Sequence, residues 1–411
     1  MAKKADRNLF VGLDIGTAKV QALVAKLNDN DELELVGVGS QPSRGLKKGV
    51  VVNIEATVQS IQKAVEEAEL MAGCQIHSVY ASVSGSHVRG INSHGVTAIR
   101  GKEVNHEDVA RAIDAARAVK LPADQKILHV IPQEFIIDDQ DGIREPIGMA
   151  GVRLEVRAHL VSGGVSAQQN VINCVHRCGL EVDEVVLEAV ADSYAILSPD
   201  EQELGICLLD VGAGTSDIAI YAEGALRHTA VIPIAGDQIT NDLAVALRIP
   251  VAKAEETKRA SAPALRGLAD SEEMVTVPTV GQRPPREVRR QKLAEVVEAR
   301  YEELFDLVQK ELRLSGLDEH LAAGIVLTGG SAQMPGVIEL AEQVFGLPVR
   351  LGLPKSIIGA REIVEDAHNT TGIGLLHYGR LVRTSDRVEF SLDRGERSPW
   401  RRMADWLRGN L

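Results

Sequence analysis

Gly205-Ile-Cys-Leu-Leu-Asp-Val-Gly-Ala-Gly-Thr-Ser-Asp-Ile-Ala-Ile-Tyr221 is an apolar run, a glycine turn and a second apolar run. Ile206 to Leu209 and Ile218 to Tyr221 have the length and composition of buried strands. Gly212 and Gly214 let the backbone fold tightly and expose consecutive N–H groups, and Thr215 adds a hydroxyl, which together make a cradle for phosphate. Asp210 stands at the mouth of the first strand, where a carboxylate can hold magnesium through its waters. One such turn is a weak signal. The same device recurs at Leu9-Phe-Val-Gly-Leu-Asp-Ile-Gly-Thr-Ala-Lys-Val-Gln-Ala-Leu-Val24, with Gly16 and Thr17 in the turn and Asp14 matching Asp210. Two copies predict two similar halves closing on one nucleotide. Neither copy is a P-loop, since no Gly-Lys-Ser/Thr follows. Neither is a dinucleotide fingerprint, since a strand and not a helix follows the glycines.

The two hairpins resemble the phosphate motifs of the actin, heat-shock-chaperone and sugar-kinase superfamily. A third element fits it: Gly324-Ile-Val-Leu-Thr-Gly-Gly-Ser331 is a strand followed by Gly329, Gly330 and Ser331, then a helix from Gly336 to Phe345. The resemblance implies that this motif lines an adenosine pocket. Gly236 and Asp237 open a helix toward Leu247, and helix N-termini attract phosphate. Glu255 and Lys258 share a face of the next helix. The superfamily places an acid and a lysine there against ribose and adenine; a solvated ion pair is the alternative. Glu188 begins a helix running to Leu197, where the superfamily often places the residue that orients the attacking water. An acid favoured by the helix dipole is the competing reading of Glu188.

The chain has 411 residues, enough for two to four domains, with 45% hydrophobic and 25% charged residues, as in soluble globular proteins. Its net charge of −13 argues against a general nucleic-acid binder. Four cysteines occur at no zinc-ligand spacing. Cys174 and Cys178 fall one turn apart on an apolar helix face and read as buried thiols, consistent with a reducing cytoplasm. The first residues lack the apolar core of a signal peptide, and no apolar run approaches the roughly 18 residues of a membrane span.

Residues 8 to 84 read as a first α/β unit, with a helix from Ile54 to Met71 presenting Ile54, Val58, Ile61, Val65 and Ala68 on one face. Residues 85 to about 165 change character. Asn105 can cap a short helix, and strands run over Lys126 to Ile137 and Val152 to Val161. In the latter, Leu154, Val156, Ala158 and Leu160 are expected to face inward, and Arg153, Glu155, Arg157 and His159 outward. This is a one-sided sheet carrying a helix, a small module inserted into the first domain. From Val275 to Lys292 the chain is rich in Pro and Arg: Arg283, Arg286, Arg289, Arg290 and Lys292 against Glu287. It reads as a solvated surface or a docking face for an acidic peptide or neighbouring subunit. A long helix from Glu287 to about Leu314 follows. After a helix from Thr370 to Tyr378, residues 380 to 398 look like a polar linker. In the final segment Trp400, Met403, Ala404, Leu407 and Leu411 fall on one helical face, with Trp406 at its edge and Arg401, Arg402, Asp405 and Arg408 opposite. A short basic amphipathic helix with tryptophan at its interface is expected to lie in a lipid headgroup layer.

Together these features resemble the bacterial cell-division FtsA family over essentially the whole chain. Further strings carry the likeness: Ile15-Gly-Thr-Ala-Lys19, His129-Val-Ile-Pro-Gln133, Leu226-Arg-His-Thr229 and Gly374-Leu-Leu-His-Tyr378. Ala213 departs mildly, standing where a third glycine is often found. The resemblance implies an α/β, actin-like two-lobed ATPase fold with an inserted small α+β subdomain, 1C, and a C-terminal amphipathic helix. It implies subdomain 1A over 1–84, 166–204 and 361–384, 1C over 85–165, 2A over 205–235 and 313–360, and 2B over 236–312, then a linker at 385–398 and a membrane helix at 399–411. It also implies ATP and Mg2+ as cofactors and self-polymerisation. FtsZ would bind at 2B through its C-terminal peptide, anionic lipid at the tail, and other divisome proteins elsewhere. The place is the cytoplasmic face of the inner membrane at the division site. A related pilus-assembly scaffold and a small-molecule kinase of the same superfamily are the rival readings.

Overall fold

The computed structural model describes residues 8–279 and 284–392, so Arg283 and the tail residues Trp400, Met403, Trp406 and Leu407 lie outside the described residues. The chain opens with three antiparallel strands, β1 (Leu9–Ile15), β2 (Lys19–Leu27) and β3 (Leu33–Pro42). Helix α1 (Ile54–Ala72) and strand β4 (Ser78–Val83) follow. Asn53 caps α1 by accepting the Ala56 N–H, and Gly73 ends it at φ 62°, in the left-handed region that glycine adopts without strain. Ile61, Ala64, Val65 and Ala68 bury the face of α1 that the periodicity selects.

The inserted module comprises β5 (Arg89–Ala98), α2 (His106–Arg117), β6 (Gln125–Ile137) and β7 (Arg153–Gly164). Asn105 and Asp108 form a reciprocal capping box at the start of α2. The chain returns through α3 (Val165–Arg177), β8 (Glu181–Leu187) and α4 (Glu188–Ile196). The second half has β9 (Ile206–Val211), β10 (Ser216–Ala222) and β11 (Ala225–Ile232), then α5 (Gly236–Leu247), α6 (Val251–Ser261) and α7 (Arg290–Ser315). Strand β12 (Ile325–Thr328), helix α8 (Val337–Phe345) and strand β13 (Val349–Leu351) complete it, and α9 (Thr370–Leu392) crosses back to the first half.

The two halves share one plan. The first sheet runs β8-β4-β1-β2-β3, with Ile357–Ile358 beyond β3, and the second runs β11-β10-β9-β12-β13. In each, an antiparallel trio is extended beside its first strand by two parallel strands. Parallel strands covered on both faces need continuous apolar runs, and β9 is buried at every position. Helices α4 and α9 cross between the halves. A Cβ on Gly374 of α9 would meet Ala191 O of α4 at 2.1 Å, so the crossing is as close as backbones allow. Val190, Ala191 and Ile196 of α4 pack there with Ile373, Leu375 and Leu376 of α9 in a core that also holds Phe10, Leu23, Ile206 and Leu208.

Three expectations shift. Leu154, Val156, Ala158 and Leu160 are buried, but so is His159, on the face expected to meet water. Strand β11 of the second half lies against that face, and Thr229 reaches the imidazole. The long helix starts at Arg290 rather than Glu287, because Arg286–Arg289 pair as a strand with Met274–Val277. And α9 continues through residues that read as linker, to Leu392. Arg383 anchors it: its guanidinium donates to Leu9 O at 2.7 Å, pairs with Asp183 at 3.1 Å and lies 4.9 Å from the Phe10 ring centre. Polar composition misled here because arginine docks a helix through its charged head as well as its stem.

Candidate functional site

The two glycine hairpins are the same turn. Gly16 N–H donates to Lys19 O at 3.0 Å, and Gly212 N–H donates to Thr215 O at 3.0 Å. Cross-strand register places Gln21 opposite Asp14 and Asp217 opposite Asp210. The turns face each other across a cleft of about 830 Å³ that Asp14, Gly16 and Thr17 line from one side and Asp210, Gly212, Gly214 and Thr215 from the other. They approach so closely that a Cβ on Gly214 would sit 2.5 Å from Thr17 Oγ1.

The third motif closes the same cleft, lined by Gly329, Gly330 and Ser331. Gly329 has φ 88°, and a Cβ there would fall 1.9 Å from Asp210 Oδ1. Ser331 Oγ donates to Gly212 O at 2.8 Å, and Tyr301 of α7 donates to Ser331 O at 2.7 Å. Gly236 and Asp237 also line the cleft, at the start of α5. Their N–H groups donate to Gly212 O at 3.2 Å and Ala213 O at 2.8 Å. Helix α5 therefore braces the second hairpin with the amides that the sequence suggested for phosphate.

Glu255 and Lys258 are in the cleft wall. Lys258 is 8% exposed, pairs with Glu255 at 2.6 Å, and donates to Thr240 Oγ1 at 2.8 Å and Gly236 O at 3.1 Å. Burial would push Glu255 up, but hydrogen bonds from Lys258 and Thr240 outweigh it and hold the carboxyl below its usual range. This is a built polar wall rather than a solvated pair.

Acids dominate the floor. Asp14 is buried and accepts from Ser82 Oγ at 2.9 Å. Burial pushes its carboxyl up, against the pull of Lys19. Burial pushes Asp210 up to about 6, with nearby Asp14 adding to the rise, and its Oδ1 has no hydrogen-bond partner. Glu188 begins α4 on the cleft floor, driven well above the carboxylate range by burial and then by Asp217, Asp14 and Asp210. Among the described residues no three His, Cys, Asp or Glu side chains form a direct metal-ligand group. A cation held by Asp14 and Asp210 would therefore sit in its own water shell.

Sequence reading missed Lys19, Asp192 and Asp217. Lys19 Nζ donates to Gln21 Oε1 at 2.7 Å, to Asn369 Oδ1 at 3.2 Å and to His368 O, tying the first hairpin to the segment before α9. Asp217 accepts from Ser84 Oγ at 2.6 Å, and burial pushes it up to about 7. Asp192 is fully buried one turn after Glu188. The available signals were hairpin register for Asp217 and the i, i+4 spacing from Glu188 for Asp192.

Away from the cleft, Arg286 donates to Leu247 O, and Arg290 donates to Ser261 O at 2.8 Å and pairs with Glu273 at 2.9 Å. Arg289 is exposed at the end of the ribbon strand. Two of the described arginines of the basic stretch thus staple the second half internally. Cys174 and Cys178 are free thiols, and burial pushes both up to about 11. No helix among the described residues is long and apolar enough to cross a membrane.

A family model described as "Cell division protein FtsA" matches residues 207–374, and one described as "SHS2 domain inserted in FTSA" matches residues 85–162. The chain is 55% identical to the cell division protein FtsA of Pseudomonas aeruginosa over 418 residues, covering 100% of both. Among solved structures it resembles a PilM-PilN type IV pilus biogenesis complex, at TM-score 0.66 and 16% identity, covering 90% of this chain and 98% of that one. It also resembles MreB5 of Spiroplasma citri bound to ADP, at TM-score 0.54 and 16% identity, covering 92% of this chain and 98% of that one.

Proposed function

The chain belongs to the FtsA family of cell division proteins, and on that premise we propose that it is an ATP-binding, actin-like scaffold that polymerises and anchors FtsZ filaments to the cytoplasmic membrane at the division site. The observation that carries the nucleotide part is the pair of identical turns facing each other across one cleft. The N–H groups of the two turns, with Thr17 and Thr215, would hold the phosphates. Glu255, Lys258, Gly329, Gly330 and Ser331 would line the nucleoside side. Mg2+ fits the donor set, because Asp210 offers a buried oxygen with no hydrogen-bond partner beside the cleft. Bound there, the ion would offset the charge of the phosphates against the acidic floor. Glu188 would orient a water for slow hydrolysis.

Nucleotide shared by both halves favours a closed state, and that state is the one competent to assemble. A single tail, through Trp400, Met403, Trp406 and Leu407, which lie outside the described residues, would bind lipid weakly. Many tails on one polymer bind strongly through effective concentration. FtsZ would dock on the 236–312 region, and other divisome proteins on the inserted module. A pilus scaffold shares the fold but leaves the tail unexplained, and a small-molecule kinase needs a substrate cleft of its own.

Vesicle co-sedimentation with anionic lipid, ATP and FtsZ tests the reading. The intact chain is expected to carry FtsZ filaments down, and Trp400→Glu/Trp406→Glu to leave both in solution. Equal pelleting of the two, or of neither, would remove the membrane role.

A further inference from the structure

We infer, on the nucleotide reading above, that Lys48 binds the terminal phosphate and is the residue by which the cleft tells a nucleoside triphosphate from a diphosphate. Between β3 and α1 the chain forms a small strap, in which Leu46–Lys47 pair with Val50–Val51 across a two-residue turn of Lys48 and Gly49. Both turn residues have positive φ, 51° and 76°. Turns of that form are ordinarily filled by Asn, Asp or Gly followed by glycine, because other side chains crowd the backbone in the left-handed region. Lysine is a poor choice for the turn itself, so its side chain is the place to look for a use.

The strap lies against both glycine turns. Gly49 N–H donates to Thr17 Oγ1 at 3.0 Å, and Ser43 N–H donates to Ala18 O at 3.0 Å, so the first turn holds it at two points. Thr17 accepts that bond, which leaves its own hydroxyl proton to donate to a ligand. A Cβ on Gly214 of the second turn would fall 2.9 Å from Lys48 Cα, so Lys48 stands where the two turns meet. The second turn also has a direction. Gly212 O takes the bonds from Ser331 and Gly236 at the nucleoside wall, while Gly214 faces Thr17 and Lys48. A phosphate chain laid along the turn from that wall ends beside Lys48. The other cleft lysines are committed, Lys19 to Gln21 and Asn369, and Lys258 to Glu255 and Thr240. Lys48 is exposed, and no described residue gives its ammonium a hydrogen bond or an ion pair. Its flexible four-carbon stem lets the charge turn onto a ligand at Gly214.

Titration of the full chain with β,γ-imido-ATP and with ADP, both in Mg2+, tests this. Lys48→Gln should weaken the triphosphate about tenfold or more, as the loss of one charge-assisted hydrogen bond requires. It should leave ADP within about threefold, since a charge farther from the ligand is screened. Lys48→Arg keeps the charge and should keep most of the preference. Lys47→Gln is the control for the general charge of the strap, because Lys47 is the exposed neighbour one residue before the turn, and it should leave the ratio of the two affinities within about twofold. An unchanged ratio in Lys48→Gln, equal weakening of both nucleotides, an Arg variant as poor as the Gln variant, or an equal effect at Lys47 would overturn the assignment and mark Lys48 as a solvated turn residue. If the intact chain binds neither nucleotide, the nucleotide reading itself fails, and the role of Lys48 with it.

Discussion

Gly329 and Gly330 are neighbours with different obligations. At Gly329 the backbone has φ 88° and a Cβ would fall 1.9 Å from Asp210 Oδ1, so an added methyl strains the chain and pushes the carboxylate out of place. At Gly330 the nearest atoms belong to the partly exposed His368 ring, at 2.9 Å, the far end of a side chain that can shift at the expense of its Nδ1 contacts with Gln333 and Asp366. Gly329→Ala is therefore expected to lower stability by roughly 2–4 kcal/mol and to weaken Mg-ATP binding by about tenfold or more. Gly330→Ala should cost about 1 kcal/mol or less. Urea melts and nucleotide titration of both variants check this, and equal effects would show that Asp210 is not what Gly329 accommodates. Much at this scale was legible. Asp14, Asp210 and the turn glycines announce themselves by spacing, because a tight turn has few sequence solutions. Asp192 and Asp217 do not, because a lone acid in a helix or strand looks like a solvated residue until the fold closes over it.

Alternation along β7 gives the side of the sheet each residue faces, but not what lies on that side. The sequence pattern separates Leu154, Val156, Ala158 and Leu160 from their neighbours correctly, yet His159 is buried because a second sheet edge docks there. Its imidazole is neutral and fully used: Nδ1–H donates to Asn92 Oδ1 at 2.7 Å, and Nε2 accepts from Thr229 at 2.9 Å. Burial pushes it down to about 3, with His228 and His129 opposing its charge further. Gln133 and Asn92 donate to Leu226 O at 2.8 Å and Arg227 O at 3.1 Å, completing a polar seam between the module and β11. The group binds its proton more weakly when folded. Its contribution to stability is thus whole above the unfolded value near 6.5, and is lost progressively as pH falls from there toward about 3. Between pH 7.5 and 5 the loss from His159 is about 2 kcal/mol. His129, lowered to about 4 by burial and accepting the Leu187 N–H, adds a similar loss. His159→Gln keeps a donor and an acceptor and cannot charge, so between these pH values it should lose about 2 kcal/mol less stability than the intact chain. Denaturant melts at the two pH values measure it, and an undiminished sensitivity would place the titrating groups elsewhere.

The duplicated plan of the molecule follows from the two hairpins, because each predicts a strand trio and the parallel strands add beside it. How the halves hold one another does not follow, since the pairs that do so are far apart in sequence and individually ordinary. Ser84 and Asp217 show this. Ser84 follows β4 at the entry to the inserted module, and Asp217 lies on β10 of the other half. Their 2.6 Å bond is buried, and Thr215 of the second glycine turn reaches the same carboxylate. A ligand that fixes Thr215 therefore also fixes Asp217 and, through it, the entry to the module. Amide exchange over residues 85–89 should slow by about tenfold when Mg-ATP is added, as a local opening that must break this bond becomes rarer. Ser84→Ala removes the donor and leaves Asp217 short of a partner, at a cost of roughly 1–3 kcal/mol. It should abolish most of the slowing at the module entry while the second hairpin, contacted directly, keeps its protection. If both regions respond to nucleotide alike in the variant and the intact chain, the halves communicate through α4 and α9 alone, and the serine is only a local anchor.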